Sequence, residues 1–381
     1  MTTFRSAVAK MDATAALGPL VAGPGGRERR DAPPTLDAAL RRAAGRWPQR
    51  PALAAPSGRW RYAELDAAVD TAAAGMAPRV GGDVVAALLG DDAPLAVLPF
   101  VASRLRATAL LLPWAHGDAA LAAALATARP VALLADTATR RRAESLAGPG
   151  GPAVWHVADL AGLGAGGLAA KHGHTDRFQA TAGGHDAEAG GHDAEAGGYD
   201  ADAGGHEPDV GGHDVVWLTT SGSTGTPKLV RVTEVNLVQA AAGYLDWLPL
   251  GERERSLAVM PLTYVGPLTA QTVLMPLIGG CLVVAGQRGP PAVAAAMAAE
   301  AITHVDAVPA WLARAATALS QPLPAWRALV YGGAPTPPDL VATLARAQPQ
   351  LALLDAWGLA EASGPVAARR TDAAGGPAGA L

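Results

Sequence analysis

The stretch that decides how this chain is interpreted is a short polar loop, Thr219-Thr220-Ser221-Gly222-Ser223-Thr224-Gly225-Thr226-Pro227-Lys228. Glycines let backbone N–H groups converge on an anion, hydroxyls add donors, and a lysine supplies a point charge. Lysine is rare here, because the chain has 30 basic residues but only three lysines. The loop therefore predicts a phosphate-binding site, with an ordinary surface turn as the alternative. It is not a Walker A loop, since Pro227 stands where that motif requires glycine.

The segments around the loop predict alternating strands and helices. Val215–Leu218 is an apolar run typical of a buried strand, and Thr233 is a candidate N-cap for a helix over Glu234–Leu245. Similar short apolar runs elsewhere alternate with helical patterns, which predicts an α/β fold with two mainly parallel sheets flanked by helices. The predicted strands are Val84–Leu89, Ala107–Leu112, Val131–Ala135, Leu257–Met260, Leu282–Ala285, Val305–Val308 and Ala328–Tyr331. The predicted helices are Leu36–Trp47, Leu95–Leu105, Asp118–Ala128, Pro291–Ile302, Trp311–Leu319 and Leu340–Ala347.

The composition excludes several classes of partner. A formal net charge of -4 without long basic runs gives no footprint for nucleic acid. No charged residue occurs between Arg255 and Arg288, but prolines and a Gly-Gly pair divide that span, which favours buried strands and a helix over a membrane segment. Cys281 is the only cysteine, and no secretory signal precedes the fold, so we expect a cytoplasmic protein.

Four regions are expected along the chain. Residues 1–34 form a flexible leader, 35–165 a first α/β subdomain, 166–214 a disordered insertion, and 215–381 a second α/β subdomain. The insertion repeats a seven-residue Gly-Gly-His-Asp-Ala-Glu-Ala unit that has no apolar face and two glycines per repeat. Its histidines raise the alternative of a metal site, but a Gly-rich repeat offers no preformed geometry, and duplication of a polar linker is the simpler account. These histidines are His185, His192, His206 and His213.

The polar loop, which ends in Thr-Pro-Lys, resembles the signature of the adenylate-forming (AMP-binding) superfamily, where it grips the ATP phosphates. Further segments are similar to the opening of that family, namely Trp47-Pro48, Arg50–Leu53, Trp60–Leu65 and Ala102–Pro113. The resemblance implies the fold of the large N-terminal domain of an acyl-CoA synthetase. It spans residues 35–381, without the family's barrel-like subdomain or its C-terminal domain.

Three later motifs extend the resemblance. Pro261–Gly266 looks like an acyl-CoA synthetase motif with Tyr264 in place of the usual histidine, at a position that would border the acyl or pantetheine pocket. Gly332-Gly333-Ala334-Pro335 follows an apolar strand and would lie against adenine and the acyl group. An aromatic core residue and a plain strand-to-helix turn are the respective alternatives. Asp355–Glu361 resembles the family's aromatic-Gly-x-Thr-Glu motif, although Ala360 replaces the threonine.

The resemblance assigns a role to each residue of these motifs. Trp357 would stack on adenine and Glu361 would hold Mg²⁺, a solvated helix carboxylate being the alternative for Glu361. The implied catalytic residues are Lys228 and Glu361, and the implied substrate-binding residues are Tyr264 and Gly332. The implied cofactor-binding residues are Thr220, Ser221, Gly222, Ser223, Thr224, Gly225, Lys228, Gly333, Ala334, Asp355, Trp357 and Gly358.

The function implied is ATP-dependent, AMP-forming activation of a carboxylic acid, with Mg²⁺ and with CoA or a carrier-protein thiol as the acceptor. Peptide-synthetase adenylation is less favoured, because Pro261–Gly266 contains no aspartate to pair with an amino-acid amine. In the family, a C-terminal lysine contacts both reacting groups and an aspartate binds the ribose, yet no lysine follows Lys228. We therefore expect slow or absent turnover. The alternatives are a non-catalytic nucleotide- or acyl-binding module, a relic, or a partner polypeptide that supplies the C-terminal domain in trans.

Overall fold

A computed structural model of the protein describes residues 20–23, 26–29, 32–160, 162–163, 212–220, 228–286 and 288–371. Its strands are β1 Leu20–Gly23, β2 Gly26–Arg29, β3 Pro51–Ala55, β4 Gly58–Arg61, β5 Val84–Leu88, β6 Thr108–Leu111, β7 Ala132–Ala135, β8 Ala153–His156, β9 Asp214–Thr220, β10 Lys228–Thr233, β11 Arg255–Ala258, β12 Cys281–Val284, β13 His304–Ala307, β14 Ala328–Gly332, β15 Ala352–Leu359 and β16 Gly364–Thr371.

The helices lie between these strands, as the alternating pattern predicted. They are α1 Leu36–Arg46, α2 Tyr62–Val80, α3 Ala93–Leu105, α4 Asp118–Ala128, α5 Arg140–Ala147, α6 Glu234–Trp247, α8 Pro290–Ala299, α9 Pro309–Ala315 and α10 Pro338–Ala347. Between α6 and α8, a continuous helical segment, α7, joins Val265–Pro267, the π-helical Leu268–Val273 and Leu274–Ile278. Short 3₁₀ turns cover Val157–Asp159, Ala318–Ser320 and Ala360–Ala362.

Two mainly parallel sheets form the frame, which confirms the predicted fold class. One has the strand order β10-β9-β6-β5-β7-β8 and the other β16-β15-β14-β13-β11-β12-β3-β4. Pairing is parallel except in the hairpins β9–β10, β3–β4 and β15–β16. The strands β1 and β2 pair with each other and with no other strand in the described ranges.

Sheet membership does not follow the order of the predicted subdomains. The hairpin β3–β4 lies in the first predicted subdomain but joins the eight-stranded sheet through β12. The strands β9 and β10 lie in the second, yet β9 pairs with β6 of the six-stranded sheet. The ranges 35–165 and 215–381 stay a prediction as domain boundaries. Each of them contributes strands to both sheets.

Two of the predicted ranges contain regular structure, and as boundaries they stay predictions. The range 1–34, predicted as a flexible leader, contains the antiparallel pair β1–β2. The range 166–214, predicted as an insertion, includes Asp214, which begins β9, and His213, which places its Nε2 2.9 Å from the carbonyl oxygen of Ala107. Residues 164–211, with His185, His192 and His206, lie outside the described residues.

The core is layered, because alternate side chains of each buried strand face opposite sides of its sheet. The largest cluster contains Val85 and Ala109 of the six-stranded sheet and Val284 and Val330 of the eight-stranded sheet, together with residues of helices α1, α2, α3, α6 and α7. Helices α8, α9 and α10 cover the far face of the eight-stranded sheet. Helices α4 and α5 cover the far face of the six-stranded sheet.

The long uncharged span between Arg255 and Arg288 is folded into this core. It forms β11, α7 and β12, as the prolines predicted. In the ranges that the structure describes, no helix is both long enough and apolar enough to cross a membrane. Cys281 in β12 is buried, and burial raises the pKa of its thiol to about 11, which fits a structural role.

Candidate active site

The predicted phosphate loop is bracketed by a β-hairpin. Thr220 at the end of β9 pairs with Lys228 at the start of β10, and Lys228 is exposed. Ser221, Gly222, Ser223, Thr224 and Gly225 lie outside the described residues, so their predicted role stays a prediction. The preceding Thr219 is buried, and its hydroxyl has no hydrogen-bond partner in the described part of the chain.

Strand β10 approaches the turn that contains Glu361. Cα atoms of β10 come within 8 Å of Cα atoms in the turn Ala360–Ala362, although β10 and β15 belong to different sheets. Glu361 is exposed and lies in a 3₁₀ turn rather than in a helix. The strand that follows the predicted phosphate loop and the turn that contains Glu361 are therefore close in space.

The end of β15 presents an aromatic face beside a tight backbone contact. Trp357 is 65% exposed, which suits a ring that stacks on a planar ligand. Glycine is required next to it, because a Cβ at Gly358 would lie 2.3 Å from the carbonyl oxygen of Gly364 on β16. Asp355 forms an ion pair of 2.7 Å with Arg369, its cross-strand neighbour, so its carboxylate already has a partner.

The glycine turn that follows β14 lies at the carboxyl end of the parallel sheet, where open α/β sheets bind ligands. A Cβ at Gly332 would lie 1.9 Å from the carbonyl oxygen of Ala356 on β15. Gly333 has φ +79°, a conformation that other residues adopt at a cost. Ala334 is exposed beyond the turn.

A cavity of about 190 Å³ opens among β13, β14, β15, α6 and α7. It is lined by Tyr244, Met260, Tyr264, Val265, Gly266, Pro267, Asp306, Ala307, Val308, Val330, Tyr331, Gly332, Gly333, Ala356, Gly358, Gly364 and Pro365. Of the predicted residues, Tyr264, Gly332, Gly333 and Gly358 line this cavity. Thr220, Lys228, Ala334, Asp355, Trp357 and Glu361 are not among the lining residues.

Sequence analysis missed the polar floor of the cavity. Asp306 on β13 is buried, accepts a hydrogen bond of 3.3 Å from the hydroxyl of Tyr244, and lies 3.1 Å from Nε2 of His304. Behind it, Nδ1 of His304 lies 2.9 Å from Oγ of Ser256, to which the amide of Gln271 donates a hydrogen bond of 2.9 Å. The sequence of β13, residues 304–307, could have indicated this polar floor. Because side chains alternate between the two faces of a strand, His304 and Asp306 lie on the same face of this buried strand.

A half-buried carboxyl lies near the Tyr264 motif. Asp91, in the loop after β5, accepts a hydrogen bond of 2.8 Å from the backbone N–H of Leu262. Burial raises the pKa of Asp91 to about 6, although the hydrogen bond from Leu262 opposes the shift. Burial and the nearby Asp91 charge also raise the pKa of Tyr264. Tyr264 is 41% exposed at the cavity wall, so it is not an enclosed core aromatic.

The single carboxylate of Glu361 suits a magnesium ion that binds together with the phosphates of a nucleotide. Within the described residues, no group of three or more His, Cys, Asp or Glu side chains could hold a metal by itself. Mg²⁺ keeps several waters and is usually bound through one or two carboxylates together with substrate phosphates. A single exposed carboxylate, Glu361, close to the strand that begins at Lys228 fits this mode of binding.

Comparison with known proteins agrees with the geometry. The chain is 34% identical over 148 residues to a feruloyl-CoA synthase of Amycolatopsis sp, and the match covers 38% of this chain and 30% of the relative. The chain thus spans under one third of that relative's length.

Solved structures share the fold over most of the chain. The structure of VinN with L-aspartate has a TM-score of 0.70 at 18% identity and covers 89% of this chain and 79% of its own. An inhibitor-bound crystal structure of the N-terminal domain of FACL13 from Mycobacterium tuberculosis has a TM-score of 0.67 at 22% identity. The match covers 87% of this chain and 77% of the FACL13 chain. The family model described as AMP-binding enzyme matches residues 40–380. The chain therefore belongs to the AMP-binding enzyme family.

Proposed function

We propose that this protein activates a carboxylic acid with ATP, as an AMP-forming ligase of acyl-CoA synthetase type. In this reaction the carboxylate attacks the α-phosphorus of ATP, pyrophosphate leaves, and an acyl-adenylate forms. The observation that carries the proposal is the approach of β10, which begins at Lys228, to the Glu361 turn, beside exposed Trp357 and an apolar cavity.

Each part of the site has a role that its chemistry supports. Lys228 supplies a cation at the phosphates, together with the hydroxyls of Ser221 and Thr224 in the loop before it. Trp357 stacks on the adenine, and Glu361 holds Mg²⁺ through its carboxylate. Gly332 and Gly333 line the cavity and border the position proposed for the acid.

The acid occupies the cavity between Tyr264 and the Gly332 turn. Apolar and aromatic walls are typical of small-molecule sites. A CoA or carrier-protein thiol is the proposed acceptor of the acyl group. Since the single cysteine is buried in the core, we infer a reducing compartment and place the protein in the cytoplasm.

A second candidate function is a module that binds nucleotide or acyl groups without turnover. Ala360 lacks the hydroxyl that the resemblance expects near the α-phosphate. Two negative groups must approach each other in this reaction, so cations supply much of the rate. We therefore propose that full activity needs a cation in addition to Lys228.

Pyrophosphate exchange into ATP, measured with aliphatic, aryl and amino acids, tests the proposal. Exchange that depends on an acid supports the ligase, whereas ATP binding without exchange supports the module. Absence of both contradicts the nucleotide site itself. Lys228→Ala should lower exchange by about 10²- to 10³-fold. Arg231→Ala, an exposed cation on the same strand, is the matched control and should leave exchange unchanged.

A further inference from the structure

Two consecutive carboxylates in the loop after β5 bind loops that belong to the other sheet. Asp91 accepts a hydrogen bond of 2.8 Å from the backbone N–H of Leu262. Asp92 accepts one of 3.0 Å from the backbone N–H of Ser57 and one of 2.6 Å from its hydroxyl. Strand β5 belongs to the six-stranded sheet, whereas Ser57 lies in the β3–β4 turn and Leu262 follows β11, which are parts of the eight-stranded sheet. The two carboxylates therefore link the sheets.

The loop that carries Asp91 is itself held in place. Asp92 is the N-cap residue of α3, and its carboxylate also accepts a hydrogen bond of 2.7 Å from the backbone N–H of Ala93. This residue is thus bound both to a helix and to the β3–β4 turn. Since Asp91 directly precedes it, the Asp91 carboxylate is presented from a fixed backbone. Residues that support a functional site have to be held in this way.

The loop that Asp91 binds is part of the cavity wall. Met260 and Tyr264, on either side of Leu262, both line the cavity, and Leu262 is 2% exposed. A hydrogen bond of 3.1 Å from the backbone N–H of Tyr264 to the carbonyl oxygen of Pro261 closes the turn. The carbonyl oxygen of Tyr264 accepts another of 3.1 Å from the N–H of Leu268 in α7. The turn is compact, so a displacement of Leu262 is passed on to the lining residues beside it.

The Asp91 carboxylate acts on the cavity only through this turn. Asp91 is not among the residues that line the cavity. Its bond to the Leu262 N–H is charge-assisted when the carboxylate is ionised, and such bonds are roughly twice as strong as neutral ones. A shift of about 1 Å in a positioning group can cost about 10²-fold in rate, even when the mutated residue lies away from the chemistry.

We propose that Asp91 is a positioning residue for the acid, because its hydrogen bond to Leu262 sets the Met260–Tyr264 wall of the cavity. This proposal rests on the proposed function, which places the acid in the same cavity. Asp91 touches neither the acid nor the nucleotide. Loss of its carboxylate should therefore weaken the use of the acid and leave the use of ATP unchanged.

Hydrogen exchange of the full chain at pH 7.5 tests the anchor without any ligand. In Asp91→Ala, the segment 260–264 should exchange about tenfold or more faster, because the Leu262 amide loses a charged acceptor. Asp91→Asn keeps an acceptor oxygen and should keep the slow exchange. Thr35→Ala removes the N-cap of α1, which lines no part of the cavity, and controls for a general loss of stability. Equal exchange of this segment in Asp91→Ala and the unaltered protein overturns the proposal.

Steady-state pyrophosphate exchange with benzoate as the probe acid tests the role. A single ring suits the cavity, whose volume of about 190 Å³ exceeds the roughly 150 Å³ of an engineered cavity that binds benzene. Asp91→Ala should raise the KM for benzoate about tenfold and leave the KM for ATP within about twofold. Asp91→Asn and Thr35→Ala should keep both constants. A lower kcat with both KM values unchanged, or an equal rise of both, overturns the positioning role.

The unaltered protein separates failure of this inference from failure of the proposed function. If it exchanges pyrophosphate with benzoate but Asp91→Ala does not raise the KM for that acid selectively, only the inference fails. If it binds ATP with Mg²⁺ but does not use benzoate, the placement of a ring-sized acid against the Met260–Tyr264 wall is overturned, and the inference with it. If it neither binds ATP nor exchanges pyrophosphate with any acid, the proposed function itself is contradicted.

Discussion

At the scale of single residues, the Asp91 carboxyl gives the fold a dependence on pH. Its pKa is raised from 3.8 to about 6 by burial, so between these values the folded state binds more protons than the unfolded state. The contribution of Asp91 to stability therefore falls as pH rises from about 4 to 6, and its ionised form costs up to about 3 kcal/mol above that range. Asp91→Asn should raise the free energy of unfolding at pH 7.5 and leave it nearly unchanged at pH 4.

Urea unfolding across this pH range measures the effect. Asp118→Asn is the control, because that carboxylate is 67% exposed. Its substitution should not change how the free energy of unfolding varies with pH. If the variant and the unaltered protein keep a constant difference in stability from pH 4 to 7.5, the raised pKa of Asp91 is contradicted.

Single residues also show what a sequence can reveal about a site. Trp357 and Tyr264 were predicted because they stand in motifs with a fixed order, and both have exposed rings in the structure. Asp306 and Tyr244 were missed because their roles depend on strand register and on a helix packing over the sheet, which local patterns do not specify. Charged residues inside a predicted buried strand are the signal that points to such positions.

At the scale of elements, helix α6 depends on its first turn. Thr233 Oγ1 accepts a hydrogen bond of 3.2 Å from the backbone N–H of Asn236, as the sequence predicted. Thr233→Ala should lower the free energy of unfolding by about 1 kcal/mol, because a helix N–H loses its partner. Thr233→Ser keeps the hydroxyl and should stay close to the unaltered protein in chemical denaturation. Equal losses in both variants would contradict the capping role.

The strand pair β14–β15 depends on a glycine at the cavity mouth. A Cβ at Gly332 would lie 1.9 Å from the Ala356 carbonyl oxygen, so Gly332→Ala forces the strands apart. We expect a loss of about 1–3 kcal/mol in thermal or urea unfolding, as for other overpacked sites. Gly243→Ala within α6 is the matched control, since nothing lies within 4 Å of its added Cβ. That variant should be stabilised by about 0.5–1 kcal/mol.

At the scale of the whole molecule, the sequence predicted the positions of strands and helices better than it predicted which strands pair. Most strand and helix positions follow from apolar periodicity, and the predicted α4 agrees at both ends, Asp118 and Ala128. The sheet assignments of β3 and β9 do not follow from it, because pairing is set by contacts between residues far apart in the chain. The same long-range pairing brings the Lys228 strand to the Glu361 turn, which motif order predicted only through the family resemblance.

We propose that Trp357, Glu361 and the Lys228 strand form one nucleotide site. The most direct test is the dissociation constant of ATP with Mg²⁺, measured by calorimetry for Trp357→Ala. Loss of base stacking should weaken binding by about 5- to 150-fold, from a contribution of about 1–3 kcal/mol. Trp357→Phe should recover much of the affinity. Val366→Ala, an exposed apolar residue on the paired strand β16, should bind ATP normally. Unchanged affinity in Trp357→Ala would contradict the account.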